Sequence, residues 1–491
     1  MVSPALAPQS NSSAARLTGR RAWLLGISAA LLSGAAFYAS TGLGRFGALA
    51  WVAPIPVLLF AVEVASARAA ALAAFVAFLL GGLNELDYLR TVMPLLPLLI
   101  VLLGPAAIFS AAVVFTRAAV AHLPGIVAAF SFAFAWTSYE FLVSLISPHG
   151  SAGSLAYSQT GLVTLIQIAS VTGLYGITFL LALLPSAFTA AWVQRSYTPL
   201  APALLILGAI GFGEYRLAHA SSAPTVRLGL AATDVGLSAA FAAENNSVAM
   251  QVAREYAGRV ARLATAGAQV VILPEKFLGV TPADSEAVQS VFSEAARQAG
   301  VTVIAGFNRI DIRPPQNVAA VFGPDGSVAL AYEKHHLLPG PETGYAVGST
   351  PGLFSAPGGK WGVEICKDMD FPAWSRRYGE LGVTLLAVPA WDFEVDAGLH
   401  AEMAFLRGVE NGFTIARVAQ QGELTVSDAY GRVLAERPSF TTSEAALIQD
   451  VAPGPGATFF TRFGNWFGWL AVVLFLAQAA GVATRPVQLA P

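Results

Sequence analysis

Across the first half of the chain, apolar residues come in long runs broken only by short polar joints; beyond Thr225 they alternate with polar ones over a few residues at a time. A bilayer core about 30 Å thick takes roughly 20 apolar residues in a helix. The runs that meet this measure are Ala22 to Ala39, Gly47 to Val64, Ala69 to Leu83, Met93 to Thr116, Pro124 to Ile146, Gly173 to Val193 and Pro199 to Leu217, with an eighth from Trp466 to Ala483. The third and seventh are short or interrupted. Between the seventh and eighth runs the period changes to short strands and amphipathic helices, an α/β or α+β pattern. Strands are predicted at Val226 to Ala231, Gln269 to Leu273, Val301 to Ala305, Val318 to Phe322, Val328 to Tyr332, Trp361 to Ile365 and Thr384 to Val388, with more β structure from Thr414 to Ala435. Helices are predicted at Val248 to Ala264, Ser285 to Gln298 and His400 to Glu410. Pro324-Asp325-Gly326 supplies the turn of a hairpin.

Charge sharpens this division. Only 12% of the 491 residues are charged, against roughly 25% in soluble proteins, which excludes a purely soluble enzyme. Nine charged side chains lie between Trp23 and Gly213; most of the others belong to the strand-and-helix segment. The chain therefore divides into a tail at 1–21, a membrane domain at 22–217, a soluble domain at 224–452 and a closing segment with the last span at 453–491. The net charge of −2 gives no basic footprint for nucleic acid. The Arg20-Arg21 pair before the first span has the look of a signal peptide, but the six spans that follow make it a retained anchor. In an eight-span arrangement Arg16, Arg20, Arg21, Arg68, Arg117, Arg195 and Arg485 fall on one side and Arg45 and Arg90 on the other. The positive-inside rule then puts both termini in the cytoplasm and the soluble domain on the outer face, in the periplasm of a cell with two membranes.

Cys366 is the only cysteine, so neither an internal disulfide nor a multi-thiolate metal site is available. It follows the apolar strand Gly362-Val363-Glu364-Ile365, as Glu275 follows Val270-Val271-Ile272-Leu273 and Lys334 follows the strand ending at Tyr332. Strand ends of open α/β sheets are where ligands bind. A glutamate can take a thiol proton, the thiolate can attack an acyl carbonyl, and a lysine can neutralise the oxyanion. Taken singly, each residue is more ordinarily structural or solvated.

The segments Leu273-Pro274-Glu275-Lys276, Tyr332-Glu333-Lys334-His335-His336-Leu337-Leu338-Pro339 and Ile365-Cys366-Lys367-Asp368-Met369-Asp370 resemble, in order and spacing, the motifs of the nitrilase-type carbon-nitrogen hydrolases. The resemblance implies a four-layer α-β-β-α sandwich with Glu275 as general base, Lys334 as oxyanion cation and Cys366 as nucleophile. Seven spans, such a domain and one closing span together resemble the apolipoprotein N-acyltransferase family over essentially the whole chain. The Lys-His-His-Leu run followed by Glu342, Ala156-Tyr157-Ser158-Gln159 and Arg462-Phe463-Gly464-Asn465-Trp466 carry that likeness. It implies a second required glutamate at Glu342, no cofactor, a phospholipid acyl donor, a Cys thioester, and a diacylglyceryl-cysteine lipoprotein as acceptor, in the bacterial inner membrane. The chain departs from the family at Ala232-Thr233-Asp234, at Lys367-Asp368 after the nucleophile, and at Val388 to Phe393, including Trp391 and Asp392.

The neighbours carry open readings. Asp368 either orients Lys334 or a backbone amide, or stabilises a turn; Trp391 and Phe393 either line an acyl pocket or pack in the core. Glu364 and Lys367 read as surface charges, and Arg407 with Glu410 as a structural pair on one helix. His335 and His336, adjacent on an extended segment, point to opposite faces and share no metal. Glu140, inside the fifth span, either snorkels or pairs near the outer interface, or serves function. The loop from Ser147 to Gln159, with His149, lines a cavity only where protein covers it. A membrane-tethered amidase using the same three residues is the alternative activity. A transporter or scaffold needs no such set and would show internal symmetry, which is not apparent.

Overall fold

The computed structural model describes residues 17–220, 223–233 and 246–487; Arg16 and Asp234 lie outside them. Among the described residues seven helices are long and apolar enough to cross a membrane: Gly19–Ser40, Ala67–Val92, Leu95–His122, Gly125–Ile146, Leu174–Gln194, Thr198–Ala218 and Trp466–Thr484. The second predicted span is a shorter apolar segment, Gly47–Glu63. Pro54 and Pro56 explain its form, since each lacks an N–H for the helical ladder: a 3₁₀ turn, Gly47–Trp51, gives way to an α-helix at Ile55–Glu63. It nevertheless runs the length of the bundle. Gly47 accepts from Gln159 Nε2 at 2.8 Å at one end; at the other, Leu17 N donates to Glu63 O at 3.0 Å and Arg117 reaches the carbonyls of Ala61, Val64 and Ala65. Eight traverses thus remain, one of them short. Trp192 joins the same far end by donating to Glu63 at 2.9 Å. Phe37, Phe78, Phe109, Phe132 and Trp136 interlock edge-on and stacked in the bundle's centre.

Two sheets follow. The first has the order β13 (Ala445–Val451), β1 (Val226–Ala232), β2 (Val270–Ile272), β4 (Thr302–Arg309), β5 (Gln316–Phe322) and β6 (Val328–Glu333), with β3 (Leu278–Val280) also on β4. The second runs β12 (Val433–Pro438), β11 (Glu423–Ser427), β10 (Thr414–Gln420), β9 (Leu385–Trp391), β8 (Gly359–Val363) and β7 (Gly352–Ala356). Their central strands β1-β2-β4 and β8-β9-β10 are parallel. Such strands are covered on both faces, which is why they read as apolar runs rather than alternations. Val270 and Ile272 face the inter-sheet core with Trp361, Leu385 and Val418, while Val271 and Leu273 between them face Tyr256 and Phe292 of the helices Asn246–Thr265 and Ser285–Ala299. Helices Pro372–Glu380 and Ala397–Asn411 cover the second sheet, completing the expected α-β-β-α layers. The periodicity names no strand at β3, β7 or β13 and no helix at Pro372–Glu380.

The sandwich sits on the bundle end opposite Glu63 and Arg117. Glu410 accepts from Leu174 N at 2.7 Å, Gln167 donates to the Tyr430 carbonyl at 2.7 Å, and Trp466 donates to the Val171 carbonyl at 2.8 Å. Arg407 and Glu410 do pair, at 3.1 Å, and Arg407 also donates to Tyr157 OH of the membrane half. Glu140 does not snorkel. Buried in the bundle, it accepts from Trp136 Nε1 at 2.9 Å, Ser154 Oγ and Thr178 Oγ1 at 2.6 Å each, and Leu155 N at 3.0 Å. It therefore ties the loop after its own helix to a neighbouring helix.

Candidate active site

Each candidate side chain leaves the sandwich at a strand end, where the ladder stops and the chain turns. After β2, Leu273 N still donates to Ile304 O, Pro274 ends the pairing, and Glu275 N crosses to Ala390 O of the other sheet at 3.3 Å. Lys334, one residue past β6, is fixed by its N–H to Asn317 O and its carbonyl from Gly348 N, both at 2.9 Å. Cys366 starts a 3₁₀ turn, Cys366–Asp370, three residues after β8. Glu275 and Lys334 thus come from one sheet and Cys366 from the other, and they meet between the two.

The centre is a buried charge lattice. Lys334 Nζ lies 2.8 Å from Glu275 Oε1 and 3.1 Å from Glu342 Oε2. Lys276 Nζ lies 2.6 Å from Glu342 Oε1, and Asn317 Nδ2 bridges Glu275 at 2.6 Å and Glu342 at 2.7 Å. Glu342 also accepts from Leu338 N at 2.7 Å. Two carboxylates and two ammoniums compensate one another, which groups so buried require. Burial works to lower the Lys334 pKa, but Glu275 and Glu342, then Cys366, outweigh it and hold the ammonium protonated. Burial likewise raises Glu342, yet Lys334 and Lys276 prevail and bring it down to about 2.

Cys366 has a positive φ of 43°, a strained conformation for a residue with a Cβ. Its thiol donates to the Trp391 carbonyl at 3.5 Å. Burial and the Glu275 charge push the thiol pKa up, and Lys334 opposes them in part. At rest the sulfur therefore keeps its proton, and deprotonation has to accompany attack. Beside it Arg417 pairs with Asp392 through two bonds, at 2.8 and 2.5 Å.

Of the residues expected in supporting places, Glu342 anchors both lysines. Asp368 takes the backbone-and-turn alternative: it accepts from Ile365 N at 3.1 Å, His336 N at 2.7 Å and Tyr332 OH at 2.7 Å, and does not touch Lys334. Trp391 meets the thiol through its main chain, while its indole donates to Gln421 at 3.3 Å. Three expectations change. Glu364 and Lys367 are buried rather than surface charges; Glu364 packs behind the turn against Ser375, and Lys367 pairs with Asp370 at 3.2 Å. His335 and His336 do not point to opposite faces, because the chain leaves the strand at Lys334: their rings stand 4.4 Å apart, one stacked on Trp374 and the other on Phe371. The sequence pattern passes over Asn317 and Lys276, which the fold brings into the lattice. Asn317 stands with Gln316 just ahead of the apolar run Val318 to Phe322, so nothing in the pattern marks it, and Lys276 differs from a surface lysine only by the fold around it.

Residues 235–452 match the family described as carbon-nitrogen hydrolase, and residues 29–187 match the apolipoprotein N-acyltransferase N-terminal domain. An apolipoprotein N-acyltransferase of Geobacter metallireducens is 26% identical over 400 residues, covering 74% of this chain and 75% of that protein. An omega-amidase of Homo sapiens is 30% identical over 220 residues, covering 38% of this chain and 78% of that protein. Among solved structures, an amidase from Nesterenkonia sp. aligns with a TM-score of 0.41 at 21% identity, over 48% of this chain and 93% of that one. The class is thus a carbon-nitrogen hydrolase domain built onto a multi-pass membrane bundle. The omega-amidase covers 38% of this chain; because both family models match, at 235–452 and at 29–187, the chain belongs to the apolipoprotein N-acyltransferase family of membrane acyltransferases.

Proposed function

We propose that this chain moves a fatty acyl group from a membrane phospholipid to the α-amine of a diacylglyceryl-cysteine at a lipoprotein N-terminus, with 224–452 as the catalytic domain on the outer face of the membrane. The observation that carries the chemistry is the meeting of Glu275, Lys334 and the lone thiol of Cys366 in one buried, charge-balanced site. Cys366 Sγ attacks the ester carbonyl while Glu275 takes the thiol proton, and Lys334 offers its ammonium to the oxyanion. The C–O bond breaks, the lysophospholipid alcohol leaves with the proton from Glu275, and a thioester remains. The acceptor amine then attacks the thioester, Glu275 takes its proton, and the C–S bond breaks to restore the thiol. Glu342 keeps Lys334 charged and in place, Asp368 holds the turn, and the Trp391 carbonyl aims the thiol.

A membrane bundle suits substrates that both carry lipid chains, and exclusion of water from the thioester favours transfer over hydrolysis. The outer-face placement is supported by the arginines: Arg20, Arg21, Arg68, Arg117, Arg195 and Arg485 belong to the bundle end away from the sandwich, in keeping with the positive-inside rule. The test is intact mass after incubating the detergent-purified protein with phospholipid and no acceptor. A fatty-acyl adduct is expected on the native chain and not on Cys366→Ala; a folded native chain that stays unmodified after an acid quench overturns the phospholipid donor.

A further inference from the structure

The turn that carries the thiol is held from the membrane side. Its last residue, Asp370, accepts from both Ser151 N at 2.8 Å and Ser151 Oγ at 2.7 Å, and Ser151 belongs to the loop that follows the Gly125–Ile146 span. Next to the nucleophile, Lys367 Nζ donates to His149 Nδ1 of the same loop at 3.2 Å, while Asp370, to which it also donates, sits on its own turn. Between those two loop residues, Gly150 has φ +52° and its missing Cβ would lie 2.4 Å from Asp370 O. The loop is itself braced: Tyr157 OH lies 2.6 Å from Ser151 Oγ and accepts from the buried Arg407, and Ser154 is fixed on Glu140.

A positive φ at a non-glycine residue persists only where the surroundings over-determine it. For Cys366 the sandwich supplies restraints at one end of the turn, from Asp368 to Ile365 N and from Trp391 O to the thiol. At the other end Phe371 stacks on His336 and leads into the helix Pro372–Glu380, and from the membrane half Ser151 and His149 hold Asp370 and Lys367. We propose that the 147–154 loop of the membrane half is a clip that positions the nucleophile, with His149 and Ser151 acting through Lys367 and Asp370 on the conformation of Cys366. Neither residue touches the reacting atoms; they are positioning residues, and the reactive form of the thiol exists only while the two halves are docked. The separate halves of this architecture would then differ from a soluble amidase in more than substrate access. The inference rests on Cys366 being the acylated residue, but not on the donor being a phospholipid.

The test is therefore run with the full-length protein and two donors, a phospholipid and the p-nitrophenyl ester of a fatty acid. The single-turnover rate of adduct formation on Cys366 is followed by intact mass across donor concentration. His149→Leu removes the acceptor for Lys367, and His149→Asn restores one at a similar position. The expected result is at least a tenfold slower maximal acylation for His149→Leu with both donors, an unchanged half-saturating concentration, and recovery to within about threefold of the native rate for His149→Asn. A loss confined to half-saturation, a native rate for His149→Leu, or equal losses for the two variants overturns the proposal. Should His149→Leu not fold, Ser151→Ala decides it, because that change keeps the main-chain bond to Asp370: a slower maximal rate supports the clip and a native rate overturns it. If only the ester acylates the native chain, the phospholipid reading fails while the clip is still judged on the ester.

Discussion

A thiol proposed as nucleophile whose proton is held on by burial and a neighbouring carboxylate has a readable signature, and Cys366 being the only cysteine makes it measurable without background. Each unit by which a thiol pKa rises removes about tenfold of its thiolate at a fixed pH below that pKa. Alkylation of the folded chain by iodoacetamide at pH 8 is therefore expected to run more than tenfold slower than that of free cysteine. Glu275→Gln removes a charge that raises the thiol, so it should speed alkylation while abolishing acylation; Lys334→Met removes one that lowers it and should slow both. Parallel changes in the two reactions for Glu275→Gln would contradict the base role. Glu342 gives a second residue-scale prediction. Its carboxyl is depressed from 4.5 to about 2, so the stability it contributes is complete above about 4.5 and is lost as pH falls toward 2. Removing one partner of a buried pair costs about 3–5 kcal/mol. Thermal unfolding in detergent should show Glu342→Gln melting well below the native chain at pH 7, with the gap closing between pH 4.5 and 2.

Elements decide which of these residues meet. The apolar runs marked the central strands because both faces of a parallel strand are buried, and Glu275 and Cys366 were legible as residues just beyond such runs; Lys334 was legible as one just beyond the antiparallel edge strand β6. Shorter elements carried too little pattern: β3 spans three residues between Phe277 and Thr281, and β7 begins at Gly352 behind a proline. Lys276 and Lys367 look like surface charges in sequence because their partners, Glu342 and His149, arrive from distant segments. In the membrane half, the prolines at 54 and 56 were visible, and they stand where the 3₁₀ turn of the second traverse gives way to its α-helix. The first and third long runs pack closely through a residue without a side chain. A Cβ on Gly81 would lie 2.4 Å from the Phe37 Cβ. Helices in lipid associate through such small residues, and overpacking costs about 1–3 kcal/mol. Gly81→Val should lower the melting temperature in detergent by several degrees while leaving acylation of the surviving folded fraction unchanged; a native melting curve would show that these helices part without cost.

At the scale of the whole molecule, the contacts fix which end of the bundle each segment visits, and the proposed outer-face orientation assigns those ends a direction that can be tested. Leu17, Glu63, Arg117 and Trp192 gather at one end, and the last helix runs from Trp466, against Val171 beside the sandwich, to Gln478, which donates to Val127 toward that same far end. Both described termini therefore leave the bundle opposite the sandwich. A phospholipid ester is present in either leaflet, so the donor alone does not require one orientation. The acceptor does, if lipoproteins are finished after crossing the membrane, and the arginine asymmetry points the same way. Replacing Cys366 with alanine leaves a chain without cysteine, into which single reporters can be placed. Ser327 is exposed on the β5–β6 turn and Ala67 is exposed at the far end of the bundle. A membrane-impermeant maleimide applied to intact spheroplasts should label Ser327→Cys and reach Ala67→Cys only after lysis. The reverse pattern would put the thiol in the cytoplasm and remove lipoprotein maturation at the outer face as its task; labelling of both before lysis would mean that the bundle does not seal the two ends from each other, and the traverse count would fall with it.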